Sequence, residues 1–362
     1  EHLTAEDNFE TDSASHDGDI SFSSTIDDDN VGGAESDLVV KSGGGDITVT
    51  GKIGATNALT ALTLNASDSY TAAGKITLSN DIGVTGTAGV TGATKIGNAS
   101  TAEVELAGAM FNTGGTQDWT AALSTAGSGN FDFNSTSAIT IKSSDDNITF
   151  STSIIELADG GDLTIDGNDT GHISVYGIVP TSLEIVTLKS SASAGAGNIT
   201  VGAGGLGTSS LPLGDTTLTG KVVTLIGDIT TGGSGTTTTA AIYRGAVDIN
   251  TTSLVVDGDV HITTDVDTGT GTHATNNDGT IDISLAAGGV TKINAADTLT
   301  NTEALTLLSG SGAITLNSTI GVTKALDSLD INSTGSAAAA ITVDQIGTYG
   351  TDDTANTAQA GV

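Results

Sequence analysis

The 362-residue chain contains no cysteine, two prolines, one tryptophan and a single arginine, Arg244, and aromatic residues make up only 3% of it. Without thiols there are no disulfides and no thiolate chemistry, and large repeat proteins hold together without such staples. No run of about 18 apolar residues occurs, so no helix is expected to span a bilayer. Basic residues are as scarce: 10 Lys and Arg stand against 43 Asp and Glu, a net charge of −33. A surface of that sign repels phosphate backbones and anionic membrane faces, which excludes nucleic acid as a partner class.

Glycine, threonine and serine fill the space. There are 50 Gly, and Ser and Thr together number 97, while the 36% of hydrophobic residues are mainly Ala, Val, Ile and Leu. Charged residues are only 15% of the chain and mean hydropathy is +0.09. Disordered segments combine low hydrophobicity with high charge, so this chain is expected to fold around a thin aliphatic core. Thr, Val and Ile favour extended backbone.

One strand pattern recurs from end to end. Ile-[Ser/Thr]-[Phe/Val/Leu]-x-x-x-Ile begins at Ile20, Ile47, Ile76, Ile148 and Ile314, and looser copies begin at Leu163, Ile199, Ile229, Ile281 and Ile341. Gly-Asp or a relative of it usually precedes the first Ile. Residues 75–86 (KITLSNDIGVTG) and 313–324 (AITLNSTIGVTK) share seven of twelve residues. A Leu-rich strand alternates with this pattern, at Leu59–Leu64, Leu183–Leu188, Leu305–Leu308 and Leu326–Ile331, so each repeat carries at least two strands. In an extended strand Ile47 and Val49 point one way and Thr48 the other. The spacing from Ile20 to Ile47 is 27 residues and from Ile47 to Ile76 it is 29, coil lengths that suit a solenoid. The predicted fold is all-β: a parallel β-helix, or β-solenoid, right-handed, with coils of about 27–30 residues.

The sequence divides into a polar acidic segment over 1–17 that suits an assembly arm, solenoid repeats over 18–347, and a polar segment over 348–362. Between 86 and 130, Met110, Phe111 and Trp119 disturb the rhythm, and an insertion or break is expected there. Residues 1–15 are the opposite of a signal peptide, so the expectation for an exported protein is that its signal has been removed. Neither end reads as an amphipathic cap. Open strand edges at solenoid ends predict a homo-oligomer or polymer joined end to end.

The alternating GDITV-like and LTALTL-like strands resemble the repeats of large secreted bacterial surface proteins, including filamentous-haemagglutinin-like adhesins; archaeal sheath and surface-layer proteins share the acidic, Thr-rich composition. The resemblance runs from Gly18 to Gly347 and implies a right-handed parallel β-helix, a secreted or cell-surface location, and attachment or surface structure without catalysis. Two readings follow: a structural protein assembling into a filament, sheath or surface layer, and an adhesin rod binding a surface glycan or protein.

Chemistry-bearing residues are mostly Asp. Clusters lie at Asp27, Asp28, Asp29 and Asn30, at Asp145, Asp146 and Asn147, at Asp159, Asp162, Asp166 and Asp169, and at Asn276, Asn277, Asp278 and Asp282. Hard cations such as Ca²⁺ take several carboxylate and carbonyl oxygens, so Ca²⁺ is the cofactor these residues suggest, although the fold requires none. Residues 276–282 look like half an EF-hand loop, but with Gly279 at position six the twelfth position is Leu285. The alternative is that all of these are turn residues on a solvated acidic surface.

Asn-x-Ser/Thr occurs at Asn65, Asn98, Asn134, Asn147, Asn168, Asn198, Asn250, Asn317 and Asn332, candidate glycosylation sites of an exported surface. Asn168 to His172 (NDTGH) is similar to a fragment of polygalacturonase motifs, which keeps a polysaccharide-degrading β-helix as a remote alternative. No Gly follows His172 and no Arg-x-Lys lies downstream. His2, His16, His172, His261 and His273 share no metal-ligand spacing.

Overall fold

The computed structural model describes residues 2–3, 7–11, 18–29, 36–65, 74–122, 131–191, 196–233, 245–267, 279–285, 289–296, 303–310, 312–332 and 340–347. Every regular element among them is a β-strand, and the strands pair in parallel. Parallel pairing between neighbours 23 or more residues apart demands that the chain travel round and return above itself, an architecture consistent with a β-solenoid. Two compact units result, Glu1–Thr181 and Ser182–Val362.

In the first unit the strands form three ladders. The first runs through Ile20–Phe22, Ile47–Val49, Lys75–Leu78, Glu103–Leu106 and Phe131–Phe133 into the ends of Ile148–Leu157 and Ile173–Pro180. The second runs through Asp7–Glu10, Asp37–Lys41, Ala61–Asn65, Thr94–Ile96 and Gln117–Trp119 into the beginnings of the same two long strands. The third begins as single bridges joining Ile26, Ile53, Ile82 and Phe111, and widens into Met110–Asn112, Ile139–Lys142 and Leu163–Asp166. Each turn therefore carries three strand positions. The second Ile of the seven-residue pattern at Ile20, Ile47 and Ile76 is the first residue past a corner, and it founds the third ladder.

Successive partners Ile20, Ile47, Ile76, Val104, Phe131 and Ile155 are separated by 27, 29, 28, 27 and 24 residues. Along the second ladder the separation varies from 23 to 32 residues. The strands stay in register while corners absorb the difference, because insertions in surface turns cost little.

The unit Ser182–Val362 repeats the plan. One ladder joins Val186–Lys189, Thr216–Leu225, Val247–Val256, Ile281–Ser284, Ile314–Ile320 and Ile341–Ile346. A second joins Ile199–Leu206, the ends of the same long strands, and Thr291–Ala295. The third joins the end of Ile199–Leu206 to Ile229–Gly233, Asp259–Asp267, Ala304–Leu308 and Ser328–Asn332. Partner separations here reach 45 residues, from Val260 to Leu305.

Period-two burial follows the sequence alternation. In Asp37–Lys41 the side chains of Leu38 and Val40 are buried while Asp37, Val39 and Lys41 face outward. Each fully buried Val, Leu or Ile contributes about 1.5–3 kcal/mol, so the stacked aliphatic columns are the main source of stability. Residues 86–122 carry four of these strands, paired with turns on both sides. Phe111, Trp119, Phe131, Phe133 and Phe150 pack together inside, with Trp119 stacked on Phe150 at 5.7 Å and edge-on to Phe111 and Phe131. Residues 123–130 lie outside the described residues.

Candidate functional site

The corners hold the chemistry. After strand Ile139–Lys142 the chain turns through Ser143 to Asn147, and one turn later it passes through Gly167 to His172. Lys142 pairs with Asp166 and Ile148 with Ile173, so these corners lie one above the other. Asp145 (φ 72°) and Asn168 (φ 60°) adopt left-handed backbone, which Asp and Asn tolerate better than most residues. This stacks the corner that carries Asp145, Asp146 and Asn147 on the one that carries Asn168, Asp169 and His172, next to Asp166.

Their polar groups satisfy one another. Asp145 Oδ1 accepts from the Asp169 amide and from Asn168 Nδ2, both at 2.9 Å, and Thr170 Oγ1 donates to the Asp145 carbonyl. The Asn168 amide donates to Asp166 Oδ1 (2.9 Å), and the His172 amide to Asn147 Oδ1 (3.0 Å). Ser143 Oγ closes the corner by donating to the Asp146 carbonyl. The Asp169 amide, helped by the Asn168 side chain, holds the exposed Asp145 carboxyl below its usual range.

The same device recurs. Asp19 Oδ1 accepts the Asp46 amide (3.0 Å) and Asp46 Oδ1 the Lys75 amide (2.8 Å). Buried Asp27 accepts the amides of Thr56 and Asn57, and Asp81 those of Ala109 and Met110. In the second unit Asp215 accepts the Ala246 amide, Asp228 the His261 amide, and Asn294 the amides of Thr323 and Lys324. Among the described residues nine Asp and Asn side chains, counting Asp145 and Asn147, act this way, each with its donor in the following turn, while Ser153 Oγ accepts the Ala121 amide from the turn before. Asp19, Asp46, Asp81, Asp215, Asp228 and Asn294 lie outside the Asp clusters of the sequence, although the Gly-Asp before the first Ile of a repeat marks Asp19, Asp46 and Asp228.

The other sequence candidates separate. Asp28 accepts from Ser36 Oγ at 2.7 Å and Asp29 is half-buried beside it, while Asn30 lies outside the described residues. Asp159 and Asp162 occupy the turn before strand Leu163–Asp166, Asp159 exposed and Asp162 half-buried. Asp282 stacks on the outward face with Asp248, whose carboxyl is raised by burial and by the Asp282 charge. Asn276, Asn277 and Asp278, like His16, His273 and Arg244, lie outside the described residues. Among those described, no three His, Cys, Asp or Glu side chains gather closely enough to hold a metal ion.

Of the sequons, Asn134, Asn147 and Asn332 are exposed. Asn65, Asn98, Asn168, Asn198, Asn250 and Asn317 are half-buried, with Asn98 Nδ2 donating to Asn65 Oδ1 one turn below (2.8 Å) and Asn134 Nδ2 to Glu105. His172 is exposed, and His261 Nδ1 lies 3.4 Å from Asp228 Oδ1. No described helix is long and apolar enough to cross a membrane. No family model, curated protein or solved structure matches the chain.

Proposed function

We propose that this chain is a structural protein of the cell surface or extracellular matrix, non-enzymatic and exported, whose copies join through their solenoid ends into a filament, sheath or layer. The finer fold in this reading is a right-handed parallel β-helix with coils of about 27–30 residues in its regular stretches. One observation carries it: corner carboxylates and amides are spent on hydrogen bonds between turns, which builds a stack rather than a pocket. Negative-stain microscopy with light scattering over a concentration series tests it. Ordered polymers are the expected result; a strictly monomeric particle overturns it, and a monomer retained by a surface-glycan array favours the adhesin rod.

Calcium enters this reading as a weak surface ligand, because the best-positioned corner carboxylates already accept amides. Calorimetric titration is expected to give low-affinity, salt-sensitive binding. Glycans fit best at the exposed Asn134, Asn147 and Asn332, and intact mass of protein from its native source reads their presence.

A further inference from the structure

On the outer side of the first ladder, Glu105, Asp132 and Glu156 hold the same register position in three consecutive turns. Thr77 precedes them on strand Lys75–Leu78, and Val179 follows on Ile173–Pro180. Neighbouring strands lie about 4.8 Å apart, so side chains stacked at one position meet. One cation serves the row: Lys75 Nζ lies 2.8 Å from Glu103 Oε1 and 2.6 Å from Glu105 Oε2. Asn134 Nδ2 donates to Glu105 Oε1 at 2.5 Å, and the Thr77 side chain also hydrogen-bonds to Glu105.

Asp132 is placed differently. Its Oδ1 is buried and accepts no hydrogen bond, its register neighbours on either side are Glu105 and Glu156, and Glu103, bound to the same lysine as Glu105, lies two residues along the adjacent strand. Neighbouring carboxyl groups escape like-charge repulsion, or hydrogen-bond to each other, only when one carries a proton.

We propose that this carboxyl row is a proton-operated clasp: a proton held on Asp132, in register between Glu105 and Glu156, lets the turns that carry Glu103–Leu106, Phe131–Phe133 and Ile148–Leu157 close on one another, and its loss sets three like charges side by side and loosens them. The charged and titratable groups facing Asp132 are Lys75, Glu103, Glu105 and Glu156. Burial pushes the Asp132 carboxyl up to about 7, the Glu103 hydrogen bond and the charges of Glu103 and Glu156 act the same way, and Lys75 opposes them. The hydrogen bond from Lys75 holds Glu105 below its usual range, so Glu105 stays charged while Asp132 titrates. Because the folded value is raised, the stabilisation is complete below the unfolded value of about 4 and is lost as pH rises through about 7.

Carboxyl-carbon NMR of the full chain and amide hydrogen exchange test this. Asp132 is expected to titrate near neutrality. Exchange at 131–133 and 155–157, corrected for intrinsic rates, is expected to run on the order of tenfold slower at about pH 6 than at about pH 8. Asp132→Asn is expected to abolish that step and keep the slow rates at the higher pH. Glu156→Gln removes one charge and leaves Asp132 in place, so it lowers the midpoint while preserving the step, and it serves if the first variant does not fold. A midpoint in the ordinary aspartate range, exchange indifferent to pH, or an unchanged step in Asp132→Asn overturns the clasp.

Discussion

At Asp81 a single carboxylate ties three turns: Lys52 Nζ reaches it from below at 2.8 Å, and the amides of Ala109 and Met110 donate from above. Burial raises its carboxyl, but the hydrogen bonds from Lys52 and the two amides outweigh that and leave it below the usual range. A depressed value means stability that is present above the unfolded value and lost as pH falls through the folded one. Asp81→Ala is expected to cost about 1–3 kcal/mol at neutral pH in chemical denaturation. Asp81→Asn, which keeps the amide acceptor and drops the ion pair, is expected to cost less. Thr94 makes the opposite case, since its Oγ1 is buried without a partner in the column between Leu62 and Gln117. Thr94→Val is expected to stabilise the protein by about 1 kcal/mol; a loss would mean that the hydroxyl has a polar neighbour after all.

Among the strands, the aromatic block shows where sequence patterning stopped being readable. Ile20–Phe22, Ile47–Val49 and Lys75–Leu78 were legible because apolar residues alternate there with Thr or Ser. Gln117–Trp119 was not, because a polar residue points inward: Gln117 Nε2 donates to the Lys142 carbonyl and its Oε1 accepts from Trp119 Nε1. Likewise the third ladder hid behind single residues, since Ile26, Ile53 and Ile82 each pair through one bridge rather than a run. At Ile148 the strand follows the pattern in type but not in phase. A register shift after Phe150 turns Ile155 inward where the motif pointed to Ile154. The Asp clusters were visible as turn chemistry, whereas their direction along the stack depends on which corners coincide, and no single repeat encodes that. Trp119→Ala is expected to cost about 3–5 kcal/mol, read as a lowered denaturation midpoint, because the stacked Phe150 and the edge-on rings lose their partner together. Ser42→Ala and Ser309→Ala, which break the corner bonds to the Gly45 and Gly312 carbonyls, are expected to cost about 1 kcal/mol each.

For the molecule as a whole the dominant quantity is the charge of −33. Like charges spread over the outer faces oppose compaction, and screening relieves them within about 10 Å at 0.1 M salt. The thermal midpoint is therefore expected to rise as NaCl increases, and a flat response would show that repulsion is already balanced locally. The nine side-chain acceptors that reach forward to the next turn carry a further consequence, one of order in time. A turn that emerges late in synthesis meets acceptors already in place on the turn before it. A turn added in the opposite direction would find amides waiting and would have to bring the carboxylates itself. Within each unit these acceptors favour growth from the N-terminal side, with Ser153 Oγ, which reaches back to the Ala121 amide, as a bond of the opposite sense.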